Sequence, residues 1–487
     1  MKRIDYPFHA CNKPSVFALI LLLGVMIATI TSTASTRPKY GGTLRVQMTQ
    51  RVSTIDPRQW PPDSRQTAVA ERMESLIFDR VVRYDDHASL QPALAVSWQH
   101  DVQSKRWQFR LREGVKFSDG SPLTPEVVAL ALQQLLGNAF DVSASADSVI
   151  VQTDMPMPDL PMQLATGRYF IFHTAADGSI FGTGPFQVNN WSSGASSKVV
   201  LTANESCWAG RPFVDKIELT MGVAFDQQVS AMTAGQADVI ELPVSQVRRA
   251  AQRGQRTAST DPVDLYVLQF NTGKLEIQDE RLRHAISLAI GRTSIADVIL
   301  QRQGVAAGGL LPNWISGYSH LFSVTQDLPH AKELVAATGR EVSRPAPLVL
   351  VYDSDDVDAR AIVERVDFNL KEAGIVTQVS GQAIGLKNSA ADMRLMRIRI
   401  AAPDLGIALA GVLTALGESP TSLETIDQEY SAERAPIDAF RVVPLVHVTE
   451  SYGLSPKVRD WMPPRWGGWR LEDVWLDQQP GAGEKSQ

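Results

Sequence analysis

The chain has 487 residues, 44% of them apolar and 21% charged, with a formal net charge of −6 at pH 7. Those proportions describe a folded protein of two or three domains and exclude a disordered one. An acidic balance with no basic stripe argues against a nucleic-acid binder, and 2 cysteines leave no disulfide framework.

The N-terminus reads as an export segment over 1–35. Lys2, Arg3 and Lys13 make a positive flank, Val16 to Ile30 is an apolar run, and Ser32-Thr33-Ala34 or Thr33-Ala34-Ser35 offers a cleavage site. A helix over that run spans about 22 Å, short of a hydrocarbon core of about 30 Å. A cleaved signal peptide is the first expectation and an uncleaved anchor the second. Cys11 precedes the apolar run, so it is no lipoprotein cysteine; Cys207, beside Trp208, reads as a small buried hydrophobe.

Tyr40 to Val46 is a turn into a strand, and the prolines of QWPPD make a loop holding Trp60 before a helix over Gln66 to Phe78. Trp60 either folds onto the surface or walls a cleft. Trp107, Phe109 and Leu111 alternate with polar residues as in a half-buried strand. Glu113-Gly114 breaks it, and Val115-Lys116-Phe117 resumes the alternation as the second arm of a hairpin-like unit. Ser118-Asp119-Gly120 turns the chain, then Thr124 caps a helix with Pro125 at its first position and Gly137 at its end.

Ser148 to Gln152 is strand-like, and the methionines of MPMPDLPMQL suit a short helix or loop better than a soft-metal site. GTGPF, from Gly182, lacks the lysine and helix start of a phosphate loop and leads into a strand, with Lys198 to Leu201 as another. Gln227 to Gly235 is helical, Ala237 to Glu241 a strand, and Leu265 to Asn271 an alternating strand. Asp279 to Leu300 reads as helix, break at Gly291, helix, with His284 structural or at the surface. Trp314 and Tyr318 fall in a loop, and a short helix follows over Ala331 to Thr338.

Pro347 to Tyr352, Asp358 to Ala373 and Ile375 to Val379 form a strand–helix–strand unit, which implies parallel pairing. Asp353, Asp355, Asp356 and Asp358 lack the glycine and glutamate of a calcium loop and read as a helix N-terminal cluster. Met393 to Ile400 alternates strongly before the loop Ala401 to Asp404, and Phe440 to Val448 is a return strand. Trp461, Trp466, Trp469 and Trp475 in the tail either pack on the first domain or line a pocket, packing being the expectation. HExxH, CxxC, GxSxG and Walker motifs are missing, and no two of the 8 histidines sit at a helical metal-ligand spacing. Neither a metal nor a cofactor is expected.

The stretch from Ala93, ALAVSWQHDVQSKRWQFRLREGVKFSDGSPLTPEVV, resembles the signature of family 5 of the bacterial extracytoplasmic solute-binding proteins, roughly LAxSW followed by xFxLRxGVKFxDGxPLTAxDV. GGTLRV, GTGPF and NESCWAGRPFVDKIEL resemble further family strings, with Cys207 replacing the usual aromatic residue. The resemblance covers Tyr40 to Gln382 and, more weakly, the tail from Arg441. It implies an α/β, two-lobed periplasmic-binding-protein-like fold of type II, with an extra subdomain in the first lobe and a ligand cleft between the lobes. The expected organisation is a first lobe over 40–270, a second α/β lobe over 271–440, and a return to the first lobe with a Trp-rich tail over 441–487. About 35 residues separate Asp404 from the return strand, fewer than in relatives, so the second lobe reads as shortened.

The resemblance further implies a monomeric, exported, non-enzymatic receptor. It would bind a small-molecule or oligopeptide ligand and present it to the permease subunits of an ABC importer. In peptide-binding relatives an aspartate after the alternating strand pairs with the ligand's α-amino group, and Asp404 matches it best; a turn-capping role is the alternative. Trp60, Asn271 and Tyr352 complete the expected ligand-binding set. A degenerate, membrane-anchored sensor and, further off, an exported hydrolase are the other classes.

Overall fold

The computed structural model describes residues 37–59, 64–192, 197–339, 347–383, 391–419, 423 and 425–477; the export segment over 1–35 and Trp60 lie outside the described residues. The elements below belong to Lys39–Gln487, which clusters as one unit. Strand β1 (Thr43–Met48) buries alternate residues, and helix α1 (Ser64–Ile77) follows. Next come β2 (Ala95–His100), β3 (Arg106–Leu111), α2 (Pro125–Leu136), β4 (Phe140–Ser145) and β5 (Ser148–Thr153). The four strands form a separate sheet in the order β2-β3-β5-β4. Helix α2 starts and stops where its caps dictate: Thr124 Oγ1 accepts from the Val127 amide at 3.4 Å, and Gly137 closes the helix at φ 78°.

One local expectation fails. Val115 and Phe117 are buried around exposed Lys116, as the alternation requires, but they form no hairpin arm with β3. Both edges of β3 are already taken, by β2 and β5. The segment instead folds on itself about Ser118 to Gly120: Phe117 N donates to Ser121 O and Leu123 N to Val115 O, each at 2.9 Å. A period of two reports which side chains are buried; it does not choose the neighbouring strand.

The main sheet has 11 strands. Strands β6 (Phe186–Ser192), β7 (Ser197–Ala203) and β8 (Lys216–Met221) precede α3 (Phe225–Thr233), β9 (Val239–Glu241) and α4 (Val244–Gln252). After β10 (Arg256–Phe270) come α5 (Glu280–Ala289), β11 (Gly304–Ala306) and α6 (Leu328–Ala337). Then follow β12 (Leu348–Asp353), α7 (Val357–Glu372), β13 (Thr377–Gln382), β14 (Met393–Arg399), α8 (Leu405–Ala415), α9 (Ile426–Asp438) and β15 (Val442–Leu454). Spatial order is β6-β7-β8-β1-β9-β15-β10-β14-β12-β13, with β11 also on β15. As the strand–helix–strand pattern demanded, β12 and β13 pair in parallel.

The long strands β10 and β15 join the two lobes. The far end of β15 pairs with β9 and with the start of β10, while the second half of β10 pairs with β14. The strand over Leu265 to Asn271, a hinge by the family resemblance, thus begins nine residues before Leu265, at Arg256. Its polar first half hid it: the register shifts around Pro262, and a proline inside a strand belongs at such an irregularity. One large apolar core lies under β1, β7, β8 and the four-stranded sheet; a second joins β10, α5, β12 and α7; a third sits beneath α8. Trp461 and Trp469 enter the first core, and Trp475 is buried with its Nε1 donating to Asp460 at 2.5 Å. Packing of the tail, the expected outcome, is what the structure shows for Trp461 and Trp469. Among the described residues no helix is long and apolar enough to cross a membrane.

Candidate ligand-binding cleft

Strand pleating builds the cleft. On the face of β10 that carries Phe270, Leu268 and Tyr266 into the second core, the next residue outward is Asp264. On β14 the corresponding face runs from Met393 and Leu395 to Arg397 and Arg399. The antiparallel register sets Asp264 opposite Arg399 and Tyr266 opposite Arg397, and facing pairs on one side of a sheet interact. The apolar stripe therefore becomes a charged one where the strands leave the second core.

Other elements complete the wall. Arg72 projects from α1, Glu241 ends β9, Glu450 lies on β15, and Asp356 and Asp358 stand at the start of α7. Arg72 reaches Glu241 at 3.0 Å and Glu450 at 2.5 Å. Glu450 also meets Arg399 at 2.7 Å, and Arg399 stands 3.5 Å from Asp264. Asp264 takes Arg397 at 2.6 Å, and Arg397 lies 3.6 Å from Asp356. Tyr266 donates its hydroxyl to Asp356 at 2.8 Å. A continuous chain of ion pairs thus runs from the first-lobe helix α1, across the hinge strands, to the second-lobe helix α7.

Its electrostatics follow from burial and pairing. Burial pushes the Glu450 carboxyl up, but Arg72 and Arg399 outweigh it and hold the group at about 2. Burial likewise works against the charge of Arg72, and Glu450, Tyr452, Glu241 and Asp264 together more than restore it. Tyr452 donates its hydroxyl to Glu450 and accepts from Trp469 Nε1 at 3.0 Å, so the tail braces this wall. Asp358 has no exposed surface. Its carboxyl is pushed upward by burial and then by neighbouring Asp356. The Asp358 oxygens accept from the Val244 and Ser245 amides, at 2.6 and 3.1 Å, at the start of α4. The acidic cluster expected to serve its own helix is therefore divided: Asp356 caps α7, and Asp358 caps α4.

The three lining arginines are each paired with carboxylates, and Asp355 adds further negative charge at the rim. The cavity volume is about 80 Å³, against about 300–1,000 Å³ for sites that enclose drug-sized ligands. A solute of that size enters only if the walls part. Among the described residues no cluster of three or more His, Cys, Asp or Glu side chains is arranged to hold a metal ion.

Of the residues expected from sequence, Asp404, Asn271 and Tyr352 do not line this cavity, and Trp60 lies outside the described residues. Asp404 caps α8, Oδ1 accepting from Ile407 N at 3.0 Å. Its charge joins burial in raising the Tyr84 hydroxyl, which places it toward first-lobe residues. Asn271 is exposed at the end of β10, its side chain donating to Ala391 O at 3.2 Å. Tyr352 is half-buried against the second core. Sequence reasoning missed Arg72, Asp264, Arg397, Arg399, Glu450 and the reach of Asp358. The available signal was charge on the inward face of a strand: Arg397 and Arg399 interrupt an apolar alternation, and Glu450 interrupts an apolar run.

A family model described as bacterial extracellular solute-binding proteins, family 5 Middle, matches residues 89–432. A probable D,D-dipeptide-binding periplasmic protein, DdpA, of Escherichia coli K12 is 26% identical over 313 residues, covering 59% of this chain and 60% of the relative. The nickel-binding periplasmic protein of the same organism is 24% identical over 350 residues, covering 63% and 66%. Those matches span less than two thirds of either relative's length. Among solved structures, NikA from Staphylococcus aureus, in complex with Ni(L-His)2, matches with TM-score 0.79 at 18% identity, over 89% of this chain and all of that one (100%). The Escherichia coli murein tripeptide binding protein MppA gives 0.77 at 17%, over 90% and 99%. At such identities the likeness concerns the fold, which is the two-lobed, type II periplasmic-binding-protein-like one.

Proposed function

The chain belongs to family 5 of the bacterial extracellular solute-binding proteins, and from that premise we propose that it is the receptor of an ABC importer. It takes a small or peptide-like solute between its lobes outside the cytoplasmic membrane and hands it to a permease. It acts as an exported monomer, by binding and not by bond-making. The observation that carries this reading is the cleft itself. Charged side chains from α1, β9, β14, β15 and α7 converge where the long strands β10 and β15 connect the halves of the sheet. A solute that touches both walls stabilises closure through contacts available only when the lobes meet. The acidic surplus of the lining favours ligands bearing an ammonium or guanidinium group, and it disfavours nucleic acid as a partner.

Native mass spectrometry of the chain purified without refolding, followed by thermal melts with peptides, nickel–histidine and sugars, tests the proposal. A co-purified solute, or a melting temperature that rises with one solute class, is expected, because binding to the folded state alone stabilises it. Melting temperatures that move with none of these classes, together with no bound mass, would sink the receptor reading. Turnover of a solute would replace it with an enzyme.

A further inference from the structure

We propose that Asp358 is an interlobe latch: its carboxylate, carried by the second lobe, closes the cleft by capping helix α4 of the first. The inference rests on the receptor reading only where it speaks of solute entry. The latch itself is a statement about the chain's own bonds.

The two partners stand on opposite sides of the cleft. Asp358 lies in the first turn of α7, directly after β12, whose neighbours in the sheet are β13 and β14. Helix α4 follows β9, which pairs with β1 and with the far end of β15. Val247 and Ala250 of α4 pack with Leu242 and Phe225, apart from the second core, which only Val244 at the helix start reaches. The bonds at 2.6 and 3.1 Å from the Val244 and Ser245 amides to Asp358 therefore join the walls.

The chemistry favours a carboxylate there. The first amides of a helix have no intrahelical acceptor, and the helix end carries partial positive charge. No side chain of α4's own cap serves them, because the cap position is Pro243. Asp358 is held in place from its own side by the α7 backbone and faces Asp356, whose second oxygen is taken by Tyr266 and approached by Arg397. Both partners of the bridge belong to the chain, so closure through it needs no solute. With a cavity of about 80 Å³ behind it, the latched form admits little. The fraction of unlatched molecules then sets the apparent affinity, which weakens in inverse proportion to that fraction.

The test uses small-angle X-ray scattering on the purified, solute-free chain. Asp358→Ala, and Asp358→Asn as the milder variant, remove or weaken the acceptor. Val244→Pro removes one donor at the first helical position, where proline is tolerated and where preceding Pro243 is already extended. Val244→Ala is the control, since it loses packing and keeps the amide. Each lost charge-assisted bond should lower the closed-to-open ratio on the order of tenfold. The expected result is a larger radius of gyration in Asp358→Ala and Val244→Pro, a wild-type value in Val244→Ala, and no further expansion in the Asp358→Ala/Val244→Pro double variant. Wild-type radii in both single variants overturn the proposal, as do independent increments in the double variant. A fall in melting temperature at wild-type radius also overturns it, assigning Asp358 to fold stability alone. None of these outcomes depends on which solute the cleft takes, so the latch and the receptor reading fail separately.

Discussion

Replacing Glu450 by Gln should destabilise the protein by about 3 kcal/mol at neutral pH, the range for removing one charge from a buried ion pair. The carboxylate is 6% exposed, accepts from Arg72, Arg399 and Tyr452, and is isosteric with the amide that replaces it. Both arginines keep a second partner, Glu241 and Asp264, which holds the loss toward the lower end of the range. The carboxyl group is held at about 2 in the fold against an ordinary value of 4.5, a difference equivalent to about 3 kcal/mol. Because the folded value is depressed, this stabilisation is fully present above about pH 4.5 and is lost as the pH falls toward 2. Urea unfolding followed by tryptophan emission at pH 7 and at pH 3 reads both effects. The wild type should exceed Glu450→Gln by about 3 kcal/mol at pH 7, and the gap should narrow at pH 3. A gap below about 0.5 kcal/mol at pH 7, the range of surface substitutions, would refute the ion-pair chain as a stabilising link between the lobes.

His447 is buried, with Nε2 donating to Leu310 O at 3.0 Å, and burial pushes its pKa down to about 4. Its folded value lies below the unfolded one, so stability should fall by about 3 kcal/mol as the pH drops from 6.5 to 4; His447→Gln should lack that slope in urea titrations. Asp404→Ser should keep the α8 cap and leave urea stability within about 0.5 kcal/mol of wild type, while weakening binding of the co-purified solute if Asp404 holds its ammonium; unchanged affinity would leave Asp404 a cap alone. A Cβ on Gly468 would stand 2.0 Å from Glu71 O and 2.1 Å from Ser75 Oγ, so Gly468→Ala should loosen the tail and cost about 1–3 kcal/mol, with faster hydrogen exchange in 461–476; wild-type exchange there would contradict the docking role of this glycine.

The fold was more legible than the site, for a physical reason that particular residues make plain. Thr124, Pro125 and Gly137 announce α2 because capping is local chemistry, settled within four residues of chain. The β12–α7–β13 unit announces itself because its two periodicities and its connection allow one handedness. Asp404 was legible as a cap for the same reason, and its expected role as a ligand group rests on resemblance alone. Arg72 and Glu450 are 378 positions apart in the numbering, yet 2.5 Å apart in space, and no local pattern in either stretch names the other.

Asp358 shows what a local reading loses. Four aspartates within six residues, before an amphipathic helix, are adequately explained by that helix's own dipole, and Asp356 does satisfy the explanation. One helix N-terminus needs only one capping side chain, however, so the surplus carboxylate two residues on had to serve something else or stay in solvent. Its complete burial excludes solvent. Helix α4, which starts after Pro243, has no side-chain cap of its own, and it receives Asp358. An excess of caps at one helix and a deficit at another are both visible in the chain. Only the fold shows that they cancel across the cleft, and that cancellation turns a solubilising cluster into a contact between lobes.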